Sequence, residues 1–239
     1  MDCDEYADTN HIRVLPDTCV ELFISYTSAP VAIINNELYK RSIITFRMNQ
    51  PMDVKMRKGA GCLAICFYPG MAYKFLHVPM YVLTNTTTAL SDLWNHAAGE
   101  IEEKLSSLPT NEARVNLAQN YLLQQLAGNK QDLQMLHCLG RAQFSGGLIP
   151  VSQLTDDTGL SQRQLSRKFQ QHVGLSPKEY LRVCRFIQSL KYLKKYPTLS
   201  LTEVAYESGY FDQAHFNRDY KAFADCTPGE VVRARNILY

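Results

Sequence analysis

No uninterrupted apolar run in the 239 residues approaches the ~20 that a bilayer-spanning helix requires. The opening stretch MDCDEYADTN is acidic and lacks a signal-peptide core. A cytoplasmic protein with no membrane partner is expected. The seven cysteines are odd in number and scattered, which argues for reduced thiols over a disulfide framework. Cys62 and Cys66 have no second pair to complete a zinc site and read as small apolar residues. None of His11, His77, His96, His137, His172 and His215 forms a His-x-His pair, so neither a metal nor another cofactor is expected. Gly-x-Ser-x-Gly, P-loop and Gly-x-Gly-x-x-Gly motifs are all missing, and Gly59-Ala60-Gly61 reads as a hairpin turn. The expectation is a protein that is not an enzyme.

Net charge is also scarce, at +2, but it is unevenly spread. Residues 1–130 carry a net −2 and residues 131–239 a net +4, and within 160–200 nine basic side chains face a single acidic one, Glu179. Such a local excess suits either an anionic partner or a solvated helix face.

What is present falls into two patterns. Over 12–83, the segments 20–26, 30–39, 42–48 and 62–68 are rich in β-branched and aromatic residues and separated by turn signals, predicting a small sandwich or barrel. From residue 88 the pattern is helical. One helix runs to Pro109, and a second has an apolar stripe at Val115, Ala118, Leu122 and Leu126 that suits internal packing or a dimer seam. AGNKQD (127–132) reads as a linker, followed by an amphipathic helix over 132–144.

The last ninety residues contain an internal repeat. Leu165-Ser166-Arg167 aligns with Phe216-Asn217-Arg218, Phe169 with Tyr220, Ser176-Pro177 with Thr227-Pro228, and Glu179 with Glu230. Each copy predicts a helix-turn-helix: a short helix (152–158, 202–208), a glycine able to turn at positive φ (Gly159, Gly209), then a helix over 161–173 or 212–223 capped by Ser161 or Asp212. Burying Leu165, Phe169 and Val173 leaves Arg163, Ser166, Arg167 and Gln170 outside. Burying Phe216, Tyr220 and Phe223 leaves Gln213, Asn217 and Arg218 outside. Guanidinium, amide and hydroxyl groups are the ones that pair with base edges in the major groove. A helix of some 19 residues from Ser176 would separate the copies by roughly 28 Å, close to one DNA turn of ~34 Å. Its Lys178, Arg182, Arg185, Lys191, Lys194 and Lys195 would face phosphates or water.

On these residues the segment 131–239 resembles the DNA-binding domain of the AraC/XylS transcription regulators. The matching motifs are Gly159-Leu160-Ser161, Leu165-Ser166-Arg167-x-Phe169, Gly174-x-Ser176-Pro177, Ala205-x-x-x-Gly209, Phe216-x-Arg218 and Thr227-Pro228-x-Glu230. Two departures are Thr155 where a small residue is expected, implying looser packing, and Asp225 in place of a glycine, implying an altered turn. The resemblance implies base contacts from Arg163, Ser166, Arg167, Gln213, Asn217 and Arg218, with an apolar contact or none from Ala214. Backbone contacts are expected from Gln162, Lys168, Lys178, Arg182, Lys194, Lys195 and Thr227.

Residues 15–95 are similar to the cupin-like domains found on a subset of these regulators, through Pro16-Asp17, Val20-Glu21-Leu22-Phe23, Ile65-Cys66-Phe67-Tyr68-Pro69-Gly70, Leu76-x-Val78-Pro79 and Leu90-x-Asp92-Leu93-Trp94. Glu21, Phe23, Phe46, Met48, Phe67 and Tyr68 are candidate effector-pocket residues, with core packing as the competing role for the apolar ones. The expected fold class is α+β, divided into a cupin-like sensor (1–87), a helical hairpin and linker (88–130) and a double helix-turn-helix domain (131–239). The expected protein is a bacterial transcription activator that binds double-stranded DNA, with RNA polymerase as a partner and an N-terminal domain that senses an unknown small-molecule effector or forms a homodimer. Two other readings stay open: a small-molecule-binding protein or enzyme whose helical domain no longer reads DNA, and a DNA-repair protein using Cys138 beside His137.

Overall fold

The computed structural model describes residues 8–57, 59–126 and 131–238. Strands β1 (Asp8–Val14), β3 (Ala32–Ile34), β4 (Glu37–Tyr39), β6 (Met52–Arg57) and β9 (Ile237–Leu238) form a sheet in the order β4-β3-β6-β1-β9. A second sheet, β7-β2-β5-β8, is built from β2 (Val20–Ser25), β5 (Ile43–Phe46), β7 (Cys62–Phe67) and β8 (Thr87–Ala89). Pairing is antiparallel except for β9, which lies parallel to β1.

Alternation along a strand sends successive side chains to opposite faces, and here both faces of the second sheet are covered. Glu21 and Phe23 on β2, with Ile43, Thr45 and Arg47 on and just after β5, face the first sheet. Val20, Leu22, Ile24, Ile44, Phe46 and Met48 face the other way, into a core shared with the helices. That double burial is why segment 42–48 reads as a nearly continuous apolar run, whereas on the edge strand β7 Ala64 and Cys66 are exposed.

Local sequence accounts for three departures from the expected elements. The segment 30–39 is a hairpin, because Asn35 and Asn36 adopt φ of 48° and 68°, the left-handed pair of a tight β-turn. Residues 73–83, expected within the strand region, hold a short helix α1 (Tyr73–Leu76) and a 3₁₀ turn (Met80–Val82). The helix expected to run from 88 breaks at Asn95, at φ 49°, into α2 (Leu90–Trp94) and α3 (His96–Ser107). The boundary placed at 87–88 falls inside β8. Most of the expected linker, 127–130, lies outside the described residues.

Helix α4 (Asn111–Leu126) buries Ala118 and packs Leu122 and Leu126 against the core, while Val115 is exposed. The helical domain then follows as α5 (Leu133–Phe144), α6 (Val151–Thr158), α7 (Gln162–His172), α8 (Pro177–Lys195), α9 (Leu201–Glu207), α10 (Gln213–Ala224) and α11 (Pro228–Arg233).

This domain is packed onto the β-domain. One cluster of buried residues runs from Leu22 and Phe46 through Met80 and Leu139 to Phe169, Phe186 and Phe216. Tyr73 stacks on His172 with ring centroids 4.0 Å apart, and Thr84 Oγ1 donates to the carbonyl of Gly174 at 2.9 Å. Gly174 has φ +90°, and a Cβ there would lie 3.0 Å from the Met80 carbonyl oxygen, so only glycine allows this approach.

Candidate functional site

Both halves of the repeat fold alike. α6 turns at Gly159 (φ +68°) into α7, and α9 turns at Gly209 (φ +77°) into α10. Ser161 and Gln164 form a reciprocal capping box at the start of α7, and Asp212 accepts from the His215 amide at the start of α10. The boxes at Ser176 and Glu179 and at Thr227 and Glu230 start α8 and α11, and a further one at Ser200 and Glu203 starts α9. Leu165 and Phe169 in one copy, and Phe216 and Tyr220 in the other, are wholly buried. This leaves Arg163, Arg167, Gln213, Asn217 and Arg218 exposed and Ser166 half-buried, all on the outer faces of the two helices. Ala214 is exposed as well, and so is Phe211, which precedes the cap of α10.

The nineteen residues of α8 separate the two copies, roughly 28 Å of helix at 1.5 Å per residue. Aromatic contacts tie it to both copies: Phe169 against Tyr180 near its start for the first, and Phe186, at its middle, against Tyr220 and Phe223 for the second.

Among the expected backbone-contacting residues, Gln162, Lys178, Lys194, Lys195 and Thr227 are exposed, as is Lys191. Two others are engaged within the protein. Arg182 donates from Nε and Nη2 to Asp219 at 2.8 and 2.6 Å and lies over the Phe223 ring, so its place is in holding α10 to α8. Lys168 pairs with Asp132, the N-cap of α5. Burial alone would raise the Asp132 carboxyl, but Lys168 and the Met135 amide outweigh it and hold it low. Arg185, expected to face phosphate or water, instead donates to the Gly147 carbonyl at 3.3 Å. The cationic surface is therefore narrower than the charge count implies.

The two departures are absorbed locally. Thr155 is half-buried, with its hydroxyl donating to the Ser152 carbonyl within its own helix. Asp225 takes the left-handed conformation (φ 56°) that a glycine would supply, and Lys221 bonds its carbonyl oxygen at 3.1 Å.

Between the two sheets lies a cavity of about 200 Å³ whose walls include Ile12, Val14, Val31, Ile34, Met52 and Leu238. Of the six residues expected in an effector pocket, Glu21 and Phe23 line it. Phe46, Met48 and Phe67 are buried in the core on the opposite face of the sheet, and Tyr68 is exposed, as the period-two alternation dictates.

Two polar lining residues, Thr45 and Arg47, were not expected from the sequence; the β2–β5 register, which pairs Glu21 with Thr45, places them on the face occupied by Glu21. Arg47 donates to Glu21 at 2.8 Å and to Asp17 at 3.3 Å. Burial works against its charge, but the two carboxylates outweigh this and raise its pKa. Among the described residues, Arg47 Nε and Thr45 Oγ1 are buried without a hydrogen-bond partner.

Cys138 is wholly buried, and burial pushes its thiol pKa up, which opposes a role as a nucleophile. No helix among the described residues is long and apolar enough to cross a membrane.

The helical domain thus holds two helix-turn-helix units with polar outward faces, joined by the single helix α8. Residues 154–234 match a sequence family described as a helix-turn-helix domain, and residues 2–89 match a domain of unknown function, DUF6597. The transcriptional activator RhaS of Citrobacter koseri is 32% identical over 85 residues, covering 36% of this chain and 30% of RhaS. The chain thus spans under a third of the length of the curated relatives it matches. Among solved structures, the xylose-binding transcription activator XylR is similar at 21% identity and TM-score 0.38, over 46% of this chain and 29% of XylR. ToxT of Vibrio cholerae O395 is similar at 11% identity and TM-score 0.48, over 94% of this chain and 96% of ToxT. Residues 154–234 are thus similar to helix-turn-helix domains of transcription activators such as RhaS.

Proposed function

We propose that the protein is a sequence-specific transcription regulator that reads two successive major-groove segments of double-stranded DNA. The observation that carries this reading is the pair of exposed polar faces on α7 and α10, set on one rigid frame by α8. Arg163, Ser166 and Arg167 read one segment and Gln213, Asn217 and Arg218 the other, while Lys178, Lys194 and Lys195 neutralise phosphates. Selection from a random duplex pool should enrich two short blocks about one helical turn apart. A pool without an enriched motif would refute the reading.

In the same proposal the β-domain senses a small molecule in the cavity between its sheets, the protein acts as a homodimer, and RNA polymerase is the downstream partner. The lining favours a compact, mainly apolar ligand bearing one uncharged hydrogen-bond acceptor. Arg47 Nε and Thr45 Oγ1 can donate to such a group. An anionic group would be a third acid beside the Glu21 and Asp17 carboxylates already on Arg47.

A further inference from the structure

The wall of the cavity includes a residue from the far end of the described chain. After α11, the last helix of the second helix-turn-helix unit, residues 236–238 return to the β-domain and add β9 to the edge of β1. The Arg13 amide donates to the Asn236 carbonyl at 2.7 Å and the Leu15 amide to the Leu238 carbonyl at 3.0 Å. Ile237 packs against the shared core, and Leu238 lines the cavity beside Ile12 and Val14. Arg13 adds a second tie. It pairs with Asp53 at 2.8 Å and also reaches Asp225, the residue that ends α10, at 3.9 Å.

The other walls are far more rigidly held. Ala32, Ile43 and Met52 are buried within paired strands and Val31 is buried just before β3, whereas Leu238 is 55% exposed and belongs to a strand of two residues. A short edge strand with few backbone bonds opens locally before the sheet that carries it. Anything that enlarges the contents of the cavity therefore meets its least resistance at Leu238, and displacing Leu238 acts on the segment that follows α11.

We propose that residues 236–238 form a ligand-responsive clasp: they tie the second helix-turn-helix unit to the β-domain when the cavity is unfilled, and filling the cavity releases them. The inference rests on the cavity being the effector site of the proposed function, but the clasp can be tested with neither ligand nor DNA.

The test is residue-resolved amide hydrogen exchange on the full chain. Leu238→Asp places a charge in the apolar wall and should open the clasp directly, speeding exchange at Arg13 and Leu15 at least tenfold. Ala32→Phe fills the cavity from a rigid strand, as a stand-in for a ligand, and should do the same. Amides across the β2–β5 pairing should keep their protection in both variants, reporting an intact fold. If Ala32→Phe disturbs those amides, the smaller Ala32→Leu takes its place. Unchanged protection at Arg13 and Leu15 in Leu238→Asp would overturn the clasp. Release in Leu238→Asp without release in the cavity-filling variant would overturn its response to a ligand. A failure to find a DNA motif would leave either result standing.

Discussion

Arg182 directs two hydrogen bonds at a single carboxylate oxygen of Asp219, at 2.8 and 2.6 Å, and Asp219 is fully buried within α10. The pair crosses from α8 to α10 and so fixes the orientation of the helix that carries Gln213, Asn217 and Arg218. Removing one partner of a buried pair costs about 3–5 kcal/mol, and the partial exposure of Arg182 reduces this. Asp219→Ala should therefore destabilise the protein by about 2–3 kcal/mol in denaturant unfolding.

The exposed side chains should separate by kind when DNA is titrated. Arg167→Ala and Arg218→Ala should each cost ~1–3 kcal/mol of affinity and relax preference at particular base pairs. Lys194→Ala should weaken all sequences alike and reduce the slope of log affinity against log salt by about 0.9. Arg182→Ala should lower stability more than it changes that slope, because its charge is committed to Asp219.

The domain interface should be sensitive to acid. Burial against Tyr73 lowers the His172 pKa, and Lys168 and Lys74 act in the same direction, while Asp132 opposes them. The unfolded chain then takes up a proton at higher pH than the folded one, so stability falls as pH drops below the ordinary histidine value of ~6.5. Thermal unfolding from pH 7.5 to 5 should show this loss, and His172→Phe should remove that part of it.

Two left-handed glycines should respond differently to a methyl group. Gly159 has open space around the added Cβ, so Gly159→Ala should cost only the backbone penalty of roughly 1–2 kcal/mol. At Gly174 the same methyl would sit 2.5 Å from Thr84 Oγ1 and 3.0 Å from the Met80 carbonyl oxygen. Gly174→Ala should cost more than Gly159→Ala in equilibrium unfolding, and it should loosen the contact between the domains.

The reading unit was legible in the sequence because its signals are local. The caps at Ser161, Ser176 and Asp212 and the alternation of Leu165 and Phe169 with Arg163 and Arg167 depend only on nearby residues. The cavity was only half legible. Glu21 and Phe23 announce one strand face, but separating Phe46 from Arg47 requires the register between β2 and β5. Arg182 looked like a phosphate contact because its partner Asp219 lies 37 residues away, on another helix. Nothing near Leu238 in the chain signals a return to β1, since a pairing across more than two hundred residues leaves no periodic trace.

The continuous core from Leu22 to Phe216 has a consequence for how the chain can be cut and recombined. Domains joined by a slack tether with little shared interface can be separated without exposing a core. In this protein Leu139, Val173 and Leu175 are buried in the shared core, and Leu139 and Gly174 meet Gly70, Thr84 and Met80 of the other half. A chimera that grafts the helical half onto a foreign β-domain would expose that seam to water. The smallest transferable unit therefore includes residues 70–84 along with the helices they cover.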